Sequence, residues 1–110
     1  MTVAPVVTTS TRGVDPDVYL PQQDTALLID VMHAHGVRGA RVLDMCTGSG
    51  AVAIAAAAAG AREAVAIDSS RSAVEHARAA AFIAGRSVTV HHGDLAAATG
   101  RFDVVTGNPP

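Results

Sequence analysis

The sequence predicts an α/β fold, a single parallel sheet with helices on both faces, and three observations carry that expectation. Short apolar runs alternate with alanine-rich stretches of helical periodicity along the chain from residue 21 to residue 110. The run Val42-Leu43-Asp44 passes through Met45-Cys46-Thr47-Gly48-Ser49-Gly50 straight into Ala51 to Ala59, which reads as a strand, a tight glycine turn and a helix N-terminus. Asp44, Asp68, Asp94 and Asn108 fall at or just beyond the carboxyl ends of successive apolar runs. Right-handed crossovers then predict a core strand order of 3-2-1-4, with a ligand at the carboxyl ends beside the first strand.

Taken in order, residues 1–20 read as an N-terminal arm. Pro5, Pro16, a Thr/Ser cluster and Arg12-Gly13 interrupt periodicity there, with a short strand expected at Val6 to Thr9. Residues 21–110 read as the ligand-binding domain. Pro21 suits a helix start, and Asp24 or Thr25 can cap unpaired N–H groups. Leu27, Leu28, Val31, Met32 and His35 recur at helical spacing as an expected buried stripe, and Gly36 supplies a left-handed stop. Arg41 to Met45 is the first core strand, and Ser49 to Ala59 its helix, ended by Gly60. Ala64 to Ile67 is the second strand, closed by Asp68. Ser69 or Ser70 caps the next helix, Ser72-x-x-Glu75 resembles a capping box one turn on, and Ala73, Val74, Ala77, Ala80 and Ala81 form its inner stripe before Gly85 stops it. Ser87 to His91 is the third strand, followed by Gly93-Asp94-Leu95, and Phe102 to Thr106 is the fourth, followed by Gly107-Asn108-Pro109-Pro110.

Composition narrows the class. A chain of 110 residues that is 49% hydrophobic and 16% charged is at most one domain with a buried core. A net charge of −2 gives no basic face for duplex nucleic acid and argues against a stand-alone DNA binder, although an enzyme can draw a basic surface from elsewhere. The single cysteine, Cys46, forms no internal disulfide, which fits a reducing cytoplasm. There is no charged and then apolar leader, and no uninterrupted apolar span of about 18 residues, so the expectation is a soluble protein without a membrane partner. All eight strongly basic residues are Arg, a bias attributed to codon composition.

The glycine turn allows close backbone approach to a ligand, because Gly48 and Gly50 carry no Cβ and the following helix offers unpaired N–H groups. Gly48-x-Gly50-x-x-Ala53 also satisfies the dinucleotide fingerprint, so flanking residues must separate the cofactors. Asp68 lies about 20 residues past the turn, where a carboxylate accepts ribose hydroxyl protons in either case. Asp44 discriminates. A carboxylate just before the turn crowds a dianionic pyrophosphate but favours an ammonium group, directly or through water, so a positively charged cofactor is expected. Asp94 can take an adenine amino proton and the Leu95 N–H can donate to a ring nitrogen.

With these residues in place the chain resembles the class I S-adenosylmethionine-dependent methyltransferases, which have a Rossmann-like fold. Asn108-Pro109-Pro110 resembles the motif of those that methylate planar amide or amino nitrogens. Together with Tyr19-x-Pro21-x-x-Asp24-Thr25 it is similar to the HemK-type protein-(glutamine N5) methyltransferases, which modify the Gly-Gly-Gln loop of translation release factors. The resemblance covers residues 19–110. It implies S-adenosyl-L-methionine as cofactor, a protein substrate, and cofactor contacts from Thr25, Asp44, Cys46, Thr47, Gly48, Gly50, Asp68, Asp94, Leu95 and Asn108. It further implies that Asn108 and the Pro109 carbonyl accept the two N–H groups of the acceptor nitrogen, with Pro109 and Pro110 keeping the turn rigid.

The chain departs from the family in two places. Cys46 stands at the usual first glycine, which costs about 1 kcal/mol or more if that position needs positive φ. The family motif continues with an aromatic residue and further strands, whereas this sequence stops at Pro110. The expectation is therefore a truncated chain, inactive by itself, whose fourth strand is an unpaired apolar edge. No metal is expected, since His33-x-His35 and His91-His92 each point two ways. The alternatives are an adenine-N6 RNA or DNA methyltransferase, an NAD-dependent oxidoreductase and a non-catalytic cofactor-binding fragment. Nothing in the sequence indicates an oligomeric state.

Overall fold

The computed structural model describes residues 6–8, 22–45, 47–93 and 100–107. In chain order the elements are β1 (Val6–Thr8), α1 (Gln22–His35), β2 (Arg41–Met45), α2 (Ala51–Ala58), β3 (Glu63–Asp68), α3 (Arg71–Ala84), β4 (Thr89–His92) and β5 (Val104–Gly107). All described strands are parallel, in the order β1-β5-β2-β3-β4. The four core strands thus stand in the expected 3-2-1-4 order, as a Rossmann-like sheet.

The arm adds a fifth strand and overturns one expectation. The fourth core strand, β5, is not an unpaired edge: β1 runs alongside it with Val6 opposite Val105 and Thr8 opposite Gly107. Three consecutive β-branched residues in the arm favour extended backbone, and the parallel ladder takes up the N–H and C=O groups that β5 would otherwise expose.

Even-numbered residues of the core strands share one face of the sheet. Leu28 and Met32 of α1 and Val52 and Ala56 of α2 pack there on Val42, Ala64 and Val104. Ala53 of α2 and Val74 and Ala77 of α3 pack on Ala66 and Val90 of the same face. The three described helices therefore cover one side. Leu43, Val65 and Ile67 turn the other way and cluster with Met45, Phe102 and Val105, a cluster that includes no helical residue among those described.

The buried line of α1 is narrower than its apolar pattern. Leu28 and Met32, four residues apart, are fully buried, whereas Leu27 is 55% exposed and Val31 and His35 also face outward. The helix already begins at Gln22, so Asp24 and Thr25 are positions of its first turn rather than residues preceding it. Gly36 (φ 88°) ends it as expected, its N–H bonding the Met32 carbonyl at 3.0 Å. The cap of α3 is Ser70, whose Oγ accepts from Ala73 N–H at 3.3 Å, and the Ser72-x-x-Glu75 box is not used as a cap.

At the amino ends of the strands Arg41 ties three strands together. Its guanidinium pairs with Glu63 of β3, donates to the Arg101 carbonyl at 2.7 Å and lies 4.4 Å from the Phe102 ring centroid. Its own N–H donates to Asp103 Oδ2 at 2.8 Å. These contacts fix the lateral register of β5, β2 and β3, and so align the opposite, carboxyl ends where the polar residues gather.

Candidate functional site

Cross-strand register builds the site from β2 outward. Asp44 stands opposite Ala66 of β3 and Thr106 of β5, so all three side chains share the face beneath α2. Asp44 is 2% exposed and Thr106 fully buried. Thr47 Oγ1 donates to Asp44 Oδ2 at 2.7 Å and Thr106 Oγ1 donates to Oδ1 at 2.9 Å. Burial pushes the Asp44 carboxyl up to about 6; the two hydroxyl donors oppose that rise and the charge of Asp68 adds to it.

The glycine turn leaves β2 and doubles back above this carboxylate. Thr47 N–H bonds the Ile67 carbonyl at 3.1 Å and Gly50 N–H bonds the Thr47 carbonyl at 2.9 Å, which closes the turn against β3. Gly48 (φ 55°) and Gly50 (φ 82°) both occupy the left-handed region that favours glycine, but their surroundings differ. A Cβ on Gly48 would meet nothing within 4 Å, whereas a Cβ on Gly50 would lie 2.9 Å from the Ala77 Cβ. Gly48 is thus the position with open space for a ligand. Gly50 instead admits α3 against the start of α2.

Asp68, at the end of β3, holds the turn from the other side. Its Oδ2 accepts from Gly48 N–H and its Oδ1 from Ser70 N–H, each at 2.9 Å. Each oxygen keeps a further lone pair for an incoming hydroxyl. The Asp68 carbonyl accepts from Gly93 N–H at 2.9 Å, and His92 Nε2 lies 3.0 Å from the Ser69 carbonyl oxygen, so the β4 end is drawn to the same loop. An open depression of about 400 Å³ beside the turn is lined by Gly48, Ser49, Ser72, Ala73 and His76.

The structure therefore brings Asp44, Thr47, Gly48, Gly50 and Asp68 into one hydrogen-bonded corner. Thr25 stands in the first turn of α1 and makes none of these hydrogen bonds. Cys46, Asp94, Leu95, Asn108, Pro109 and Pro110 lie outside the described residues. The sequence reading missed Thr106 and Ser70 as parts of the site. Thr106 was detectable as a polar residue in an apolar run two positions before Asn108, but only the strand register reveals its partner. Asp44 is sealed from water, at 2% exposure. Chemically, the open depression at Gly48 lies beside two neighbouring carboxylates, one buried and one at the end of β3, whose charge favours a group with hydroxyls and positive charge over a second anion.

The methyltransferase small domain family matches residues 20–110. The chain is 36% identical over 108 residues to a release factor glutamine methyltransferase of Mycolicibacterium smegmatis, an alignment covering 91% of this chain and 38% of that protein. Among solved structures it is similar to a ribosomal protein L11 methylase from Lactobacillus delbrueckii subsp. bulgaricus, with a TM-score of 0.73, 30% identity and coverage of 86% of this chain and 51% of that one. It is also similar to a magnesium protoporphyrin IX methyltransferase from Synechocystis with bound SAM, at a TM-score of 0.67, 29% identity and coverage of 78% and 43%. The chain spans less than half the length of the curated relatives it matches.

Proposed function

The chain belongs to the methyltransferase small domain family, and from that premise we propose that it is the cofactor-binding part of an S-adenosyl-L-methionine-dependent N-methyltransferase. The acceptor we assign is a planar amide nitrogen, the glutamine side chain of a translation release factor. The observation that carries the cofactor reading is the pair Asp44 and Asp68 on either side of the Gly48 turn. The charge of Asp68 already disfavours ionisation of the buried Asp44, so a bound cation relieves that repulsion, whereas a pyrophosphate adds to it. That chemistry favours a sulfonium and ammonium cofactor over a nicotinamide dinucleotide.

When bound, the cofactor supplies an electrophilic methyl group. On this reading Asp68 accepts the ribose hydroxyls and Gly48 gives the backbone room to approach. Asp44, with Thr47 donating to it, holds negative charge beneath the methionine moiety, and Thr25, Cys46, Asp94 and Leu95 complete the cofactor contacts. Asn108 and the Pro109 carbonyl orient the acceptor N–H groups, with Pro110 stiffening the turn, so that geometry compensates for the weak nucleophilicity of an amide. We assign residues 1–20 to an arm and residues 21–110 to the cofactor-binding domain. The acceptor follows the name of the Mycolicibacterium smegmatis relative.

Methyl transfer from labelled S-adenosylmethionine by an enzyme containing this chain tests the acceptor. A Gly-Gly-Gln peptide or its parent release factor is expected to take the label on glutamine. Labelling of an adenine-containing RNA or DNA in place of the peptide would overturn the assignment of glutamine.

A further inference from the structure

Thr106 occupies a position where packing alone asks for valine. It follows Val104 on the same face of β5, is fully buried, and shares that face with apolar side chains such as Val42, Ala64 and Ala66, Asp44 directly opposite being the exception. A hydroxyl there needs a polar partner, and the register supplies one. Thr106 Oγ1 has one proton and two acceptors in reach, Asp44 Oδ1 at 2.9 Å and the Leu43 carbonyl oxygen at 3.4 Å. The shorter bond goes to the carboxylate, and Thr47 completes the other oxygen at 2.7 Å.

We propose that Thr106 is a positioning residue for the cofactor-binding carboxylate: its hydroxyl, with that of Thr47, holds Asp44 oriented and ionised beneath the glycine turn. This role rests on the assignment of Asp44 to cofactor binding given above. Among the described residues, the elements packed against β2 offer Asp44 little other charge. Neither α2 nor β5 carries an ionisable side chain, Asp30, His33 and His35 of α1 are exposed, and β3 carries Glu63 at the far end and Asp68, which opposes ionisation. Arg41 lies at the opposite end of β2. The two hydroxyls are therefore the local groups that favour the charged form. The arrangement also accommodates the protonated carboxyl, which can donate to Thr106 Oγ1 while Thr106 turns its own proton to the Leu43 carbonyl. Thr106 thus joins the charge state of Asp44 to the strand that leads directly into Asn108.

Carboxyl-carbon NMR of the aspartate-labelled chain, with the Asp44 signal identified by its loss in Asp44→Asn, reads the titration without any cofactor. Thr106→Val is expected to raise the Asp44 midpoint by about one pH unit and Thr106→Ser to restore it. S-adenosylhomocysteine affinity in the valine variant is then expected to fall about fivefold at pH 6 and to differ by less than about twofold at pH 9. Thr106→Cys, a weak donor of similar size, gives an intermediate midpoint and serves as the test if the valine variant does not fold. An unchanged midpoint in the valine or cysteine variant, or failure of serine to restore it, overturns the role of Thr106. Loss of S-adenosylhomocysteine binding in every form, with the midpoints moving as expected, overturns the cofactor assignment of Asp44 and leaves the Thr106 to Asp44 link standing.

Discussion

Gly50 and Ala77 meet so closely that a Cβ on Gly50 would stand 2.9 Å from the Ala77 Cβ and 3.2 Å from its Cα. The N-terminus of α2 can reach the turn only because both residues are small. Gly50→Ala is expected to destabilise the chain by about 2–4 kcal/mol, combining left-handed backbone strain with overpacking. Gly48→Ala, which meets no atom within 4 Å, is expected to cost only the backbone strain of about 1–2 kcal/mol. Urea denaturation of both variants checks the ranking, and Ala77→Gly combined with Gly50→Ala should relieve the Cβ contact and recover part of the overpacking, the Ala77 Cα remaining 3.2 Å away. Equal losses for the two glycines would contradict the separate roles.

The raised Asp44 value has a consequence for stability with a definite sign. A folded-state value near 6, above the ordinary 3.8, means that the folded chain holds this proton more tightly than the unfolded one. The Asp44 contribution is therefore full below about pH 4 and is lost as pH rises through about 6, on the order of 3 kcal/mol in total. Comparing denaturation of the chain and of Asp44→Asn at pH 5 and pH 8 isolates it. The asparagine variant should gain on the parent as pH rises, and a difference that stays constant with pH would contradict the burial argument.

Ser70 caps α3 through Ala73 N–H and also presents its own N–H to Asp68. Ser70→Ala removes the first bond and keeps the second, so a loss of about 1 kcal/mol in stability is expected, with the Asp68 loop preserved. Amide chemical shifts of Gly48 and Ser70 in the variant check that the loop has not moved.

In an enzyme containing this chain, Asn108→Ala is expected to lower turnover about 100-fold while leaving S-adenosylhomocysteine affinity nearly unchanged, as befits a misplaced acceptor. Steady-state kinetics beside calorimetric binding separates the two quantities. Equal turnover in the variant would remove Asn108 from the acceptor site.

Features written locally in the chain were legible from it. Gly36 and Gly85 stop their helices in the left-handed conformation, and the four core strands and their order follow from apolar runs and crossover handedness. Features that depend on partners far away in sequence were not. The pairing of β1 with β5 joins residues about 100 positions apart, and a strand of three residues carries too little pattern to announce it. The apolar pattern of α1 named Leu27 and Val31 beside Leu28 and Met32, and only the packing of α2 decides which pair is covered. Gly50 looked like a ligand-approach glycine because its spacing fits that purpose, yet its neighbour is Ala77. Asp44 and Asp68 stand out as candidate site residues from their strand-end positions alone, while the hydroxyls that hold Asp44 required the register of β2 with β5.

The most direct test of the cofactor assignment is an amide NMR titration of the chain with S-adenosylhomocysteine, with NADH as the comparison ligand. Saturable shifts at Gly48, Gly50 and Asp68 with S-adenosylhomocysteine, and none with NADH, are the predicted result. Shifts at these residues with NADH alone would contradict it.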